Sequence, residues 1–253
     1  MRIEIDRKKT AFENAGNYFD RSKKLKKKIA GARAALQRYL KTKPKIPAKK
    51  KAAPRKIAPK KWYEKFRWFR TSDNFLVVLG KDAATNELLI KRHTDSHDIV
   101  FHADIAGAPF AVIKTDGKSV PKSTLDQTAQ FAASYSKAWA RGLGSIDIYH
   151  IGPDQVTKTA PAGEFLPKGA FLITGKKTFH KPGLQIAIGN LDGELVWGTP
   201  DSVRSQTPKF VTIIPGDRKS LELAKKIKSL LHLETNPDLI QKLIPAGKGK
   251  LQK

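Results

Sequence analysis

The chain has no cysteine and a single methionine in 253 residues. That absence excludes a disulfide framework, a thiolate metal site and a cysteine nucleophile. Long hydrophobic runs are missing as well. Stretches such as Phe75–Leu79 reach about five residues, against the ~20 needed to span a bilayer. The start, Met1 to Arg7, offers no apolar stretch for a signal peptide, so a soluble cytoplasmic protein without membrane association is expected. Acidic side chains are also scarce: 23 Asp and Glu face 49 Lys and Arg, for a formal net charge of +26. Such a balance predicts a polyanionic partner, because each cation that neutralises a phosphate releases counterions.

The excess charge is unevenly placed. Residues 1–61 hold 22 basic and 4 acidic side chains, and residues 62–253 hold 27 and 19. Within the basic quarter, Thr10 to about Leu40 reads as one long helix. Ala11, Ala15, Tyr18, Ser22, Leu25, Ile29, Ala32, Leu36 and Tyr39 alternate in steps of four and three, a heptad seam with one polar member. Thr10 and Glu13 fit a capping box at its start. Lysines coat the other faces, and so narrow a stripe needs a partner helix or a surface to lie on. The next stretch carries Pro44, Pro47, Pro54 and Pro59 among lysines with no acid, which predicts an extended basic tether. The expected organisation is a helical arm over residues 1–43, a Lys/Pro-rich linker over 44–61 and a folded domain over 62–253.

That domain reads as α+β with a mixed sheet. Strand patterns occur at Phe75–Leu79, Asp98–Asp104, Pro109–Lys114, Ser145–Ile151, Ala170–Thr174, Leu184–Ile188, Glu194–Trp197 and Phe210–Ile214. Helices are expected from Asp82 to Lys91, from a Ser123/Asp126 capping box to about Trp139, over Ser220–Leu231 and over Pro237–Ile244. Strands outnumber helices and often follow one another, which argues against a doubly wound sheet. Pro245 to Lys250 reads as a flexible basic hook.

Signs of catalysis are weak. No Gly-x-Ser-x-Gly elbow or phosphate-binding Gly-x-x-x-x-Gly-Lys loop occurs. His93, His97, His102 and Asp104 lie close together, but no further pair completes a metal-ligand pattern. Neither metal nor cofactor is expected, and no enzyme activity. His102 and Asp104, sharing one strand face, suit either a hydrogen-bonded structural pair or a contact with a ligand's phosphate or base. Aromatic and cationic residues interleave from Trp62 to Arg70, the pairing that holds single-stranded nucleic acid by stacking and charge. Helical spacing would turn Trp62, Phe66 and Phe69 into the core and leave Arg67 and Arg70 for a ligand. Lys176 and Lys177, at a strand-ending turn, are the other basic pair with an independent case.

Several of these segments form an ordered series: Trp62 to Phe69, Gly80 to Ala83, Asn86 to Leu89, Lys91-Arg92, Asp98 to Asp104 with Gly107-Ala108, Tyr135 to Trp139, Pro153 to Val156 with Lys158, Gly163 to Gly169, and Gly175 to Lys177. The series resembles the NFACT-R domain, the RNA-binding domain of the NFACT ribosome-associated quality-control factors. Val211 to Asp217 and Ile244 to Lys248 are similar to closing segments of archaeal-type members, and the heptad helix to the first arm of the family's coiled-coil hairpin. The resemblance implies RNA contacts at Arg92, His102, Asp104, Lys114, Lys158, Lys168, Lys176 and Lys177. It implies tRNA and the large ribosomal subunit as partners. Full-length members open with a DNA-glycosylase-like domain whose Asp-Arg pair serves tRNA-dependent peptide tailing. This chain is expected to start after that domain, with Asp6-Arg7 not equivalent to the pair. Two other readings stay open: an RNA-processing or RNA-modifying enzyme built on His102 and Asp104, and an interaction subunit recruiting a helix partner through residues 10–40.

Overall fold

A computed structural model describes residues 4–41, 61–105, 108–159, 166–167 and 169–252. They divide into two compact units between Pro59 and Lys60. Nearly all of the Lys/Pro linker, like Lys168, lies outside the described residues.

In the first unit, helix α1 runs over Ala11–Lys41. The expected capping box forms: the Thr10 amide donates to Glu13 at 2.7 Å and the Glu13 amide to Thr10 Oγ1 at 3.3 Å. The residues before it fold back on the first turns. The Asp6 amide donates to Asn14 Oδ1 at 2.9 Å, and the Tyr18 hydroxyl donates to the Glu4 carbonyl at 2.5 Å. The heptad seam stays open to solvent, with Leu25, Ile29 and Leu36 between 49% and 58% exposed.

The second unit opens with a single 3-10 turn at Trp62–Lys65, followed by β1 (Arg67–Arg70) and β2 (Leu76–Leu79). Next come α2 (Ala83–Arg92), β3 (Ile99–Ala103), β4 (Ala111–Lys114), α3 (Lys122–Ser134), α4 (Lys137–Ala140) and β5 (Ile148–Ile151). Three short strands follow: β6 (Val156–Thr157), β7 (Leu172–Ile173) and β8 (Thr178–His180). The rest is β9 (Ile186–Leu191), β10 (Glu194–Gly198), α5 (Pro200–Arg204), β11 (Phe210–Lys219), α6 (Ser220–Leu230), α7 (Pro237–Leu243) and β12 (Lys248–Leu251).

The fold is α+β. Six strands form one sheet in the order β1-β2-β4-β3-β5-β8, four form a second in the order β10-β9-β11-β12, and β6 pairs with β7. All described ladders are antiparallel. Side-chain alternation explains how the larger sheet packs. Phe69, Val77, Leu79, Phe101, Ile113 and Ile148 enter a core shared with α3, the second sheet and α6. Val78, Val100, Val112 and Tyr149 point the other way, under Tyr63, Phe66 and Leu89. With both faces covered, the run at Phe75–Leu79 has no polar face to show. Each large apolar side chain buried this way contributes about 1.5–3 kcal/mol.

Four local expectations change. Phe66 and Phe69 are buried, but Trp62 stays 39% exposed, because the chain leaves the 3-10 turn for a strand instead of continuing a helix. The Ser123/Asp126 capping box does not form: α3 starts after Pro121, and the Ser123 hydroxyl donates to Asp73 at 2.6 Å. That helix also ends at Ser134, where Ser136 caps the separate α4 by accepting the Ala138 amide at 3.1 Å. The second half of the Pro245 to Lys250 hook is strand β12, which pairs with β11 and buries Gly249.

Candidate nucleic-acid interface

A cleft of about 620 Å³ opens at one end of the larger sheet, lined by Arg67, Lys81, His102, Phe110, Tyr149 and Lys177 among others. Its wall is built by close approaches. Gly80 leaves room for Asn86, whose Oδ1 would lie 1.9 Å from a Cβ there and instead accepts the Phe110 amide at 3.2 Å. Asp82 caps α2 by accepting the Thr85 amide at 2.8 Å, which fixes the corner that carries Lys81. Packed against the same helix, Gly169 has φ +77° and sits so near Ala83 that a Cβ would come within 2.6 Å of its Cα. The Gly169 amide donates to Glu87 at 3.1 Å.

Two of the cleft's cations rest on rings. Arg67 Cζ lies 4.9 Å from the Tyr135 ring centroid, and Lys177 Nζ lies 4.4 Å from that of Tyr149. Arg67 Nε is buried and has no hydrogen-bond partner among the described residues. Burial lowers the pKa of Arg67, and burial together with the nearby Arg67 charge lowers that of Lys81. Burial raises the Tyr149 hydroxyl to about 12, with the Asp104 carboxylate adding to the effect. Asp82 is the one carboxylate among the described lining residues, and its Oδ1 accepts from both the Thr85 amide and the Thr85 hydroxyl. The cleft is therefore cationic, aromatic and short of competing acid.

The sequence-predicted residues distribute unevenly around this cleft. Arg67, His102 and Lys177 line it. His102 Nε2 lies 3.2 Å from the Ala108 carbonyl, and Nδ1 lies 3.4 Å from the Tyr149 hydroxyl. A carbonyl only accepts, so Nε2 carries the proton, and burial lowers the pKa of the ring. With both ring nitrogens taken, Asp104 acts on His102 only through space; it is exposed just beyond β3. Lys176 is exposed beside Lys177. Lys158 donates to the Pro167 and Ala170 carbonyls at 2.7 and 2.9 Å, so its ammonium secures the wall that holds Gly169.

Arg70, Arg92 and Lys114 do not line the cleft. Arg70 donates to the Asn74 carbonyl at 2.9 Å and, with Lys114, lines a different surface pocket. Arg92 is exposed at the end of α2. Lys114 pairs with Asp98 and, at 2.7 Å, with Asp95. The Asp95, His97 and Asp98 cluster thus holds a lysine ammonium. Lys81 and Tyr135 were missed as cleft residues. The signal that could have found them is the resemblance, since Lys81 lies in its Gly80 to Ala83 segment and Tyr135 in its Tyr135 to Trp139 segment.

Residues 65–175 match the family described as NFACT protein RNA binding domain. The chain is 40% identical over 195 residues to the archaeal Rqc2 homolog aRqcH of Methanocaldococcus jannaschii, covering 74% of this chain and 29% of that protein. It is 35% identical over 194 residues to the ribosome quality control complex subunit NEMF homolog of Drosophila melanogaster, covering 74% and 19%. It is 39% identical over 186 residues to the human ribosome quality control complex subunit NEMF, covering 68% and 16%. The chain spans less than a third of the length of each of these relatives. Residues 65–175 are thus similar to the NFACT RNA-binding domain family, and the wider folded part to segments of these ribosome quality control proteins.

Proposed function

We propose that this chain is a non-enzymatic RNA-binding module that contacts tRNA or ribosomal RNA in ribosome-associated quality control. The observation that carries the reading is the cleft itself, where Arg67, Lys81 and Lys177 stand beside Tyr135, Tyr149 and Phe110 with Asp82 as the one acid among the described lining residues. Stacking rings and backbone-tracking cations together are what RNA binding needs. The lysine-coated α1 supplies the sequence-independent share of affinity. Lys176, exposed next to Lys177, extends the basic edge, and Arg92 adds an exposed cation on α2.

Salt dependence tests this directly. Binding of unfractionated tRNA by the full chain is expected to weaken by about 0.7–0.9 logs per log of salt for each phosphate neutralised. Changing Lys23, Lys24, Lys26, Lys27 and Lys28 together to Gln lowers the slope by about 3. A shallow slope, or one untouched by these changes, counts against the electrostatic share of the reading. The open seam of α1 supports a second contact, with a partner helix. Its test is sedimentation of the full chain against Leu25→Asp/Ile29→Asp, which lose any association that the seam supports.

A further inference from the structure

We propose that the cleft accommodates one unpaired RNA nucleotide, with its base against the aromatic wall and an acceptor oxygen on Arg67 Nε. This rests on the RNA-binding reading above and narrows it to a class of RNA. Size gives the first argument. At about 620 Å³ the cleft falls within the ~300–1,000 Å³ of small-ligand sites, far too narrow for a duplex. A single extruded nucleotide fits that scale.

The second argument is chemical. Arg67 is held by Tyr135 beneath its guanidinium, and its Nε–H has no acceptor within the described residues. Buried donors normally have partners, so an orphan donor lining a cleft marks where a ligand's oxygen arrives. The position suits a phosphate or a base carbonyl. Lys81 and Lys177 line the same cleft and add positive charge for the backbone oxygens. Lys81 is exposed but partly desolvated, and Lys177 Nζ sits over the Tyr149 ring.

The third argument concerns selectivity. Phe110, His102 and Phe171 meet in a cluster, with ring centroids 4.3 Å apart for His102 and Phe110 and 5.4 Å apart for Phe110 and Phe171. A base in a helix hides its faces by stacking on its neighbours, and A-form RNA keeps its major groove too narrow for side chains. Only an unstacked base can reach this wall. The cleft therefore distinguishes loops, bulges and free ends from paired stems, without reading a particular sequence. A second and larger groove of about 1010 Å³ shares Arg67, Lys81 and Tyr135 with the cleft.

The experiment compares two RNAs on the full chain by fluorescence anisotropy at one salt concentration: a hairpin with an unpaired loop, and a blunt duplex carrying the same stem. The hairpin is expected to bind about tenfold more tightly or better, the lower part of what stacking one base supplies. Arg67→Lys keeps the charge and removes the Nε donor and the planar fork. It is expected to bring the ratio to within about twofold of one while duplex affinity holds. If neither RNA binds, the RNA-binding function falls. Equal binding of both RNAs by the unaltered chain overturns the nucleotide pocket and leaves that function standing, as does a ratio that survives Arg67→Lys. Should Arg67→Lys fail to fold, photo-crosslinking of the unaltered chain to a loop carrying 4-thiouridine decides. Adducts on peptides containing Phe110, Tyr135 or Tyr149 uphold the pocket, and adducts confined to other peptides refute it.

Discussion

Lys114→Met should unfold the second unit far more readily while leaving RNA affinity in place. The Lys114 side chain is 12% exposed and that of its partner Asp98 is wholly buried. Asp98 also accepts the Asp95 amide at 2.8 Å and the Thr115 amide at 3.1 Å, so it ties the turn before β3 to the end of β4. Burial alone would lower the Lys114 pKa, but its contacts with Asp95 and Asp98 outweigh that and leave it raised. For a raised lysine the stabilisation is whole below the unfolded value of 10.5 and fades only as pH climbs through the folded one. At pH 7.5 it is fully present. Removing the ammonium strands a buried carboxylate, a change that costs about 3–5 kcal/mol. In a unit of this size that lowers the thermal midpoint by roughly 6–20 °C. All four tryptophans, Trp62, Trp68, Trp139 and Trp197, lie beyond Lys60. Tryptophan fluorescence during urea unfolding therefore reports this unit without interference from the helical arm. Asp98→Asn/Lys114→Met should recover part of the loss, giving a coupling of about 1–3 kcal/mol. A loss below about 1 kcal/mol would refute the buried-pair argument. A collapse of RNA affinity well below the transition would return Lys114 to the RNA-contacting set that the sequence resemblance implied.

Gly169→Ala should weaken RNA binding more than it weakens the fold, since an added methyl meets Ala83 and pushes the cleft wall off α2; anisotropy and thermal melts, measured together, separate the two effects. Ser136→Ala should cost about 1 kcal/mol in urea by uncapping α4, and an unchanged midpoint would show that the Ala138 amide finds another acceptor. Stability should fall as pH drops from 7 to 5. Burial lowers the pKa values of His93, His102 and His150, so below the usual 6.5 the unfolded chain takes up protons that the folded chain refuses. His150 Nδ1 lies 2.7 Å from His180 Nε2, a contact that needs at least one neutral ring. His150→Gln should therefore flatten the loss, and a slope as steep as before would remove this pair from the explanation.

Local signals carried much of the fold into view. Asp82 before a run of helix formers marked α2, and Thr10 with Glu13 marked α1, because caps act within one turn of chain. The helix near Ser220 was legible from its amphipathic pattern and forms without a side-chain cap, while the short one near Pro237 is capped by Asn236. The failures have a common cause. Ser123 was free to cap α3 on paper, yet its hydroxyl went to Asp73, fifty residues earlier. Gly249 looked like part of a loose tail, yet β11 gives it a strand to pair with. Trp62 had the spacing of a core residue, but β1 needed extended backbone to pair with β2. In each case a distant segment outbid a local preference.

The candidate site divides in the same way. Composition alone established the positive charge and the absence of thiol chemistry and pointed to a polyanionic partner, because charge and functional groups do not depend on folding. The interleaving of rings with cations around Arg67 pointed to stacking. Which cations remain available was decided only in three dimensions. Lys114 is held by Asp95 and Asp98 and Lys158 by two carbonyls, whereas Lys81 and Tyr135 join Arg67 and Lys177 around one cleft. A side chain's freedom to meet a ligand depends on which neighbours the sheet order brings to it, and those neighbours lie far away along the chain.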